Sequence, residues 1–166
     1  NELVSVLAHE IGHVAKRHIS SRIKKGKQIS VATMGLVLAA IALGGGVGSQ
    51  ALLAGSMAAG QSASLHYSRL DEEEADLLAY DWMKKLGRNP EGQVKMLQTM
   101  RRIARYRSGM LPQYLLTHPN PENRLNYVQS LIDSDKEEVK DLKKGNDLQF
   151  LRFKYRVMSQ TRDTRY

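Results

Sequence analysis

Apolar positions along the chain recur mostly at helical spacing. Leu3, Val6, Leu7, Ile11 and Val14 carry the three-and-four spacing of an amphipathic helix. A near-continuous apolar run from Val31 to Leu43 is broken at Gly44-Gly45-Gly46-Val47-Gly48, and the small-residue segment Ala51 to Ala59 follows it. This predicts a helical hairpin with small-residue packing over 28–68. Ala75, Ala79, Met83 and Leu86 then mark the face of another helix, with Gly87 in the position of a C-cap. Asn89-Pro90 is an N-cap and first-turn signature, and Val94, Leu97, Met100 and Ala104 give an inward face to a helix reaching about Arg107. Arg101, Arg102, Arg105 and Arg107 read as its solvated face. Turn residues dominate 108–119. Asn120-Pro121 opens the next helix, through about Ile132, and Lys136 to Lys144 reads as a charged helix ended by Gly145. Gln149 to Met158 fits a last helix or a strand, because Phe150, Phe153, Tyr155 and Val157 do not settle the period. The tail from Thr161 to Tyr166 is expected to fray.

The expected fold class is therefore mainly α. A chain of 166 residues suits one domain, here 1–166, with 28–68 as an inserted apolar hairpin and 133–166 as a C-terminal helical extension. At 42% hydrophobic it can bury a core, and no cysteine is present, which excludes disulfides and thiolate metal sites. The net charge of +8 would suit nucleic acid or anionic lipid. Nucleic acid is set aside: no fold signature for it is present, and two Phe and one Trp leave little for base stacking.

The basic charge is unevenly placed. No acid occurs between Glu10 and Asp71, and Lys16, Arg17, Arg22, Lys24, Lys25 and Lys27 cluster just before the uncharged stretch Gln28 to Ser68. A hairpin arm of ~15 residues is ~22 Å long, short of the ~30 Å hydrocarbon core, so neither arm reads as a membrane span. Two placements stay open. The hairpin is buried against the other helices, or its apolar tip meets a bilayer while the lysines sit on anionic headgroups.

The candidate chemistry begins at His9-Glu10-Ile11-Gly12-His13, an H-E-x-x-H pattern on the first helix. Histidines four apart share a helix face, ~6 Å apart at Cβ, close enough for both imidazoles to hold one Zn²⁺ at ~2.0–2.1 Å. Glu10 is rotated about 100° from His9 by the helical period, beside a water in the open position rather than among the ligands. Ala8 and Gly12 leave room for a metal or another helix. His18, nine residues from His9, is expected on the far side of that helix as a solvated or last-turn histidine.

A catalytic zinc site takes three protein ligands, and without cysteine the third is His, Asp or Glu. The conspicuous acidic run is Asp71-Glu72-Glu73-Glu74-Ala75-Asp76. Projected on a helix, Glu72 and Asp76 fall in the middle of the Ala75, Ala79 and Met83 face, where unpaired carboxylates are costly. A metal and a metal-bound imidazole would remove that cost, making Glu72 the third ligand and Asp76 the acceptor for a ligand ring N–H. Asp71, Glu73 and Glu74 are expected to be solvated at a helix N-terminus.

Three segments, His9 to His13, Tyr67 to Asp76 and Thr117-His118-Pro119-Asn120-Pro121-Glu122-Asn123-Arg124, carry H-E-x-x-H, E-x-x-x-D and H-P-x-x-x-x-R in order. Together they resemble a gluzincin family of zinc metallopeptidases, peptidase family M48, which takes in HtpX-like, type I CAAX prenyl and BepA-like proteases. The resemblance implies a zincin-like domain, one zinc per chain on His9, His13 and Glu72, and Glu10 as general base. It also implies that His118 can approach the zinc and close its water position, and that Arg124 lies near the centre, polarising a scissile carbonyl or pairing with Asp76; by its position before Pro119 alone, His118 reads equally as a structural turn histidine. The family places a strand before H-E-x-x-H, so most of any β-sheet is expected upstream of residue 1, and the chain reads as a fragment. The activity implied is peptide-bond hydrolysis on unfolded or misassembled polypeptides of the cell envelope, in a periplasmic or membrane-associated setting. The alternatives are a self-inhibited zinc-bound chaperone or assembly factor, and a module that binds an anionic membrane surface.

Overall fold

The computed structural model describes residues 1–44, 46–106, 114, 117–119, 121–145 and 147–161. Within them the elements are α1 (Glu2–Ala15), α2 (His18–Ala42), α3 (Val47–Lys85), α4 (Glu91–Tyr106), α5 (Pro121–Ser134), α6 (Lys136–Val139) and α7 (Asp147–Thr161). No strand occurs among the described residues; one parallel bridge joins Arg88 to Lys143. The last apolar segment is thus a helix. The helix expected over 136–144 is a single turn, because Lys143 leaves it to exchange backbone hydrogen bonds with Gly87 and Asn89.

The core lies between α3, α4, α5 and α6, where Tyr80, Val94, Leu97, Met100, Leu125, Val128, Ile132 and Val139 are buried together. Gly87 ends α3 at φ +65°, a conformation glycine adopts without strain. Asn89 opens α4 by accepting the Glu91 N–H at 2.8 Å. Arg101 and Arg105 lie on the solvated face, as expected, and pair there with Glu122 of α5 at 3.1 and 3.2 Å.

α1 lies on α3 through small residues. A Cβ on Gly12 would stand 3.2 Å from the Ala75 Cα and carbonyl oxygen, so any larger residue would push the two helix backbones apart by a few tenths of an ångström. The buried face of α1 is Ser5, Ala8, His9, Gly12 and His13, while the apolar stripe Leu3, Leu7, Ile11 and Val14 is exposed. The periodicity located the helix but not the face that α3 covers.

The α2–α3 pair corrects three expectations. First, the second hairpin arm and the Glu72 helix are one continuous α3 of 39 residues, so Asp71 to Asp76 lie mid-helix and not at an N-terminus. Second, Asp71 is buried and paired with Arg22, Nε to Oδ2 at 2.6 Å, instead of solvated. Third, of the two placements open to the hairpin, burial against the other helices is not the one adopted: Val31, Met34, Leu38, Ile41, Leu43, Val47 and Met57 are exposed. Small groups fill its seam, with Ala40, Ser49 and Ser56 buried and Gly60 against Thr33. Among the described residues no helix is long and apolar enough to cross a membrane. Arg107, most of the loop expected over 108–119, Asn120, and the tail from residue 162 lie outside the described residues.

Candidate metal centre

α1 delivers His9 and His13 one turn apart, and α3 brings Glu72 against them. The His9 and His13 Nε2 atoms are 3.0 Å apart, and each lies 3.4 Å from a Glu72 carboxylate oxygen. His118 arrives from before α5, its Nδ1 2.9 Å from Glu72 Oε2 and 3.3 Å from His9 Nε2, its ring stacked on Tyr114. One ligand atom from each of His9, His13, Glu72 and His118 lies within 4.8 Å of the others. Four nitrogen and oxygen donors converging in this way could hold a divalent cation.

The backs of the rings are occupied. His9 Nδ1 lies 2.8 Å from Asp76 Oδ1, the contact expected of a ligand imidazole. Asp76 in turn accepts from Arg124 Nε at 2.7 Å, Arg124 Nη2 at 2.8 Å and the Tyr127 hydroxyl at 2.6 Å. Gln93 adds a longer bond at 3.2 Å. Of the two positions open to Arg124, the fold provides the one on Asp76. Its Nη1 also lies 2.9 Å from Glu72 Oε2, an ion-pair contact without hydrogen-bond alignment.

Burial and close partners shift the titratable groups of the centre. Glu72 and Asp76 are each 1% exposed. Burial opposes their ionisation, but hydrogen bonds from His118 and His9 to Glu72, and from His9 and Arg124 to Asp76, hold both carboxyls well below the usual range. Burial would lower His9, yet its bonds to Asp76 and Glu72 outweigh this and raise it. Burial also pushes His13 down to about 4, so it stands as a neutral imidazole, the form that ligates metal. Glu10 sits at the rim. Its Oε1 is buried without a well-aligned hydrogen bond among the described residues and lies 3.5 Å from His118 Nε2.

His18 departs from its expected place. It is buried, its Nδ1 2.8 Å from His13 Nδ1. α1 ends at Ala15 and Arg17 turns left-handed at φ 55°, so α2 folds back over the centre. Arg22, one turn further along α2, donates to Glu72 Oε1 at 3.2 Å. Tyr114 and Tyr127 were also missed. Arg22 and Tyr127 carry no local signal because their partners are distant in sequence, and His18 and Tyr114 meet near neighbours only through turns that the spacing does not show.

The family described as Peptidase family M48 matches residues 1–132. The chain is 34% identical over 127 residues to the beta-barrel assembly-enhancing protease of Yersinia pestis, covering 75% of this chain and 26% of that protein. It is 33% identical over 138 residues to metalloprotease YcaL of Escherichia coli (strain K12), covering 82% and 51%. It is 28% identical over 135 residues to metalloprotease LoiP of the same strain, covering 81% and 51%. The chain thus spans between a quarter and a half of these relatives. No solved structure matches it at comparable stringency.

Proposed function

The chain belongs to peptidase family M48, and from that membership we propose that it is a zinc-dependent metalloendopeptidase. His9, His13 and Glu72 would hold the ion. A zinc ion there supplies Lewis acidity for polarising a peptide carbonyl and acidifying water. Glu10 takes the proton of the attacking water at Oε1 and hands it to the leaving amine. Asp76 holds the His9 ring through Nδ1, and Arg124 and Tyr127 hold Asp76. The observation that carries this reading is the convergence of the donors with an unpartnered carboxylate oxygen beside them.

Two further parts of the reading rest on specific observations. Relatives named for β-barrel assembly point to unfolded or misassembled envelope polypeptides as substrates. The exposed, uncharged hairpin beside Lys24, Lys25 and Lys27 favours work at an anionic membrane surface in the envelope. A second reading, a self-closed zinc protein that assists assembly with little proteolysis, is favoured by His118 standing as a fourth donor.

The experiment is Glu10→Gln, assayed for zinc content and for cleavage of an unfolded outer-membrane protein. Zinc is retained and cleavage falls by about two to four orders of magnitude. A zinc-bound Glu10→Gln protein with full activity would sink the mechanism.

A further inference from the structure

His9 and His13 are held from behind in different ways. His9 has a carboxylate directly at its back, Asp76 at 2.8 Å. His13 has a second imidazole, His18, Nδ1 to Nδ1 at 2.8 Å. The other nitrogen of His18, Nε2, lies 3.0 Å from Glu74 Oε2, and Glu74 is paired at its other oxygen with Lys16. The His18 side chain is buried, whereas Glu74 and Lys16 are at the surface.

Proton placement follows from the partners. A nitrogen that ligates metal is bare, so His13, with Nε2 facing the other donors, carries its proton on Nδ1. That N–H donates to His18 Nδ1, which must then be bare. The His18 proton lies on Nε2 and donates to the Glu74 carboxylate, which can only accept. Each ring nitrogen has one role, and the reverse order fails because an ionised carboxylate has no proton to give. We propose that His18 is a positioning residue of the metal centre, an imidazole bridge that carries the hold of Glu74 inward to His13 and fixes its ring and tautomer. A direct carboxylate behind His13 would add a further buried negative charge to those of Asp71, Glu72 and Asp76. The bridge leaves that charge at the surface, on Lys16.

The inference rests on His13 being a metal ligand, and the test separates the two. Zinc affinity is read by competition with a chromophoric chelator, and ligand geometry by the absorption bands of the cobalt-substituted protein. His18→Leu fills the space but offers no acceptor; His18→Gln returns an oxygen that can accept the His13 N–H. His18→Leu is expected to bind zinc about 10–100-fold more weakly and to shift the cobalt bands. His18→Gln recovers a substantial part of the affinity, and the metal-free melting temperatures of both stay close to the parent. Glu74→Ala, at a surface position that cannot disturb the core, loses several-fold and decides the matter if His18→Leu does not fold. Parent-like zinc affinity in His18→Leu, equal losses in the Leu and Gln variants, or an unchanged Glu74→Ala would overturn the bridge alone. A folded parent chain that binds no zinc would overturn the metal reading and the bridge with it.

Discussion

Arg124 grips Asp76 with both arms of its guanidinium, Nε 2.7 Å from Oδ2 and Nη2 2.8 Å from Oδ1, and both residues are buried. Removing one partner of such a pair leaves a desolvated charge behind. Arg124→Met is expected to cost about 3–5 kcal/mol in urea unfolding of the metal-free protein. Arg124→Lys falls between, since it keeps the charge but not the planar fork. Asp76 is held below its ordinary pKa, so its contribution is full above the unfolded value and is lost as pH falls through the lower folded value. In Arg124→Met the acid transition therefore moves to higher pH. An unfolding midpoint and acid transition equal to the parent's would show that the pair does not hold this part of the fold.

Gly12 is the contact on which α1 and α3 close, and therefore the contact that sets His9 and His13 against Glu72. A Cβ at this position meets the backbone of Ala75 at 3.2 Å, and a helix backbone cannot step aside as a side chain can. Gly12→Ala gains about 0.8–1 kcal/mol of helix propensity and loses about 1–3 to overpacking, so global stability changes modestly. Ligand geometry suffers more. Zinc affinity is expected to fall several-fold with the melting temperature nearly unchanged. Parent-like zinc binding in the alanine variant would mean that this approach does not set the centre.

The contrast between Glu72 and His18 explains what could be read before the fold was seen. Glu72 and Asp76 stand out because helical period is local: two carboxylates centred among Ala75, Ala79 and Met83 signal a demand that water does not meet. His18 does not stand out, because its place depends on a left-handed turn at Arg17, a residue type with no preference for that conformation. Asp71 looked solvated for a similar reason, its partner Arg22 lying on another helix. The stripe Leu3, Leu7, Ile11 and Val14 misled in the opposite sense. It is a true amphipathic period whose apolar side is exposed here, while small and polar groups face α3.

The hairpin sets an apolar tip beyond a basic collar. Lys25 stands 4.3 Å over the Tyr67 ring, beside Lys24 and Lys27, at the base of arms that carry no charge from Gln28 to Ser68. Each lysine near an anionic surface contributes about 1 kcal/mol, so replacing all three with Gln should weaken binding by roughly a hundredfold. In flotation with phosphatidylglycerol vesicles the chain should rise with the lipid. It should rise less with phosphatidylcholine and less at high salt, and Leu38→Glu with Ile41→Glu should leave it at the bottom. A chain that stays down with anionic vesicles rules out membrane docking by this element.

His118 is the fourth donor at the centre. Its Nδ1 shares Glu72 Oε2 with Nε2 of His9, and its ring is braced on Tyr114, with centroids 4.4 Å apart. If that imidazole holds the position needed by the attacking water, His118→Ala frees it. The expected result is faster cleavage of an unfolded substrate, several-fold in kcat, at slightly reduced zinc affinity. Tyr114→Ala, which removes the brace but keeps the imidazole, should move kcat in the same direction by less. Glu10→Gln placed on the His118→Ala background should abolish the gain, because the released site still needs its base. Unchanged or slower cleavage in His118→Ala would assign the ring to supporting the reaction instead of blocking it.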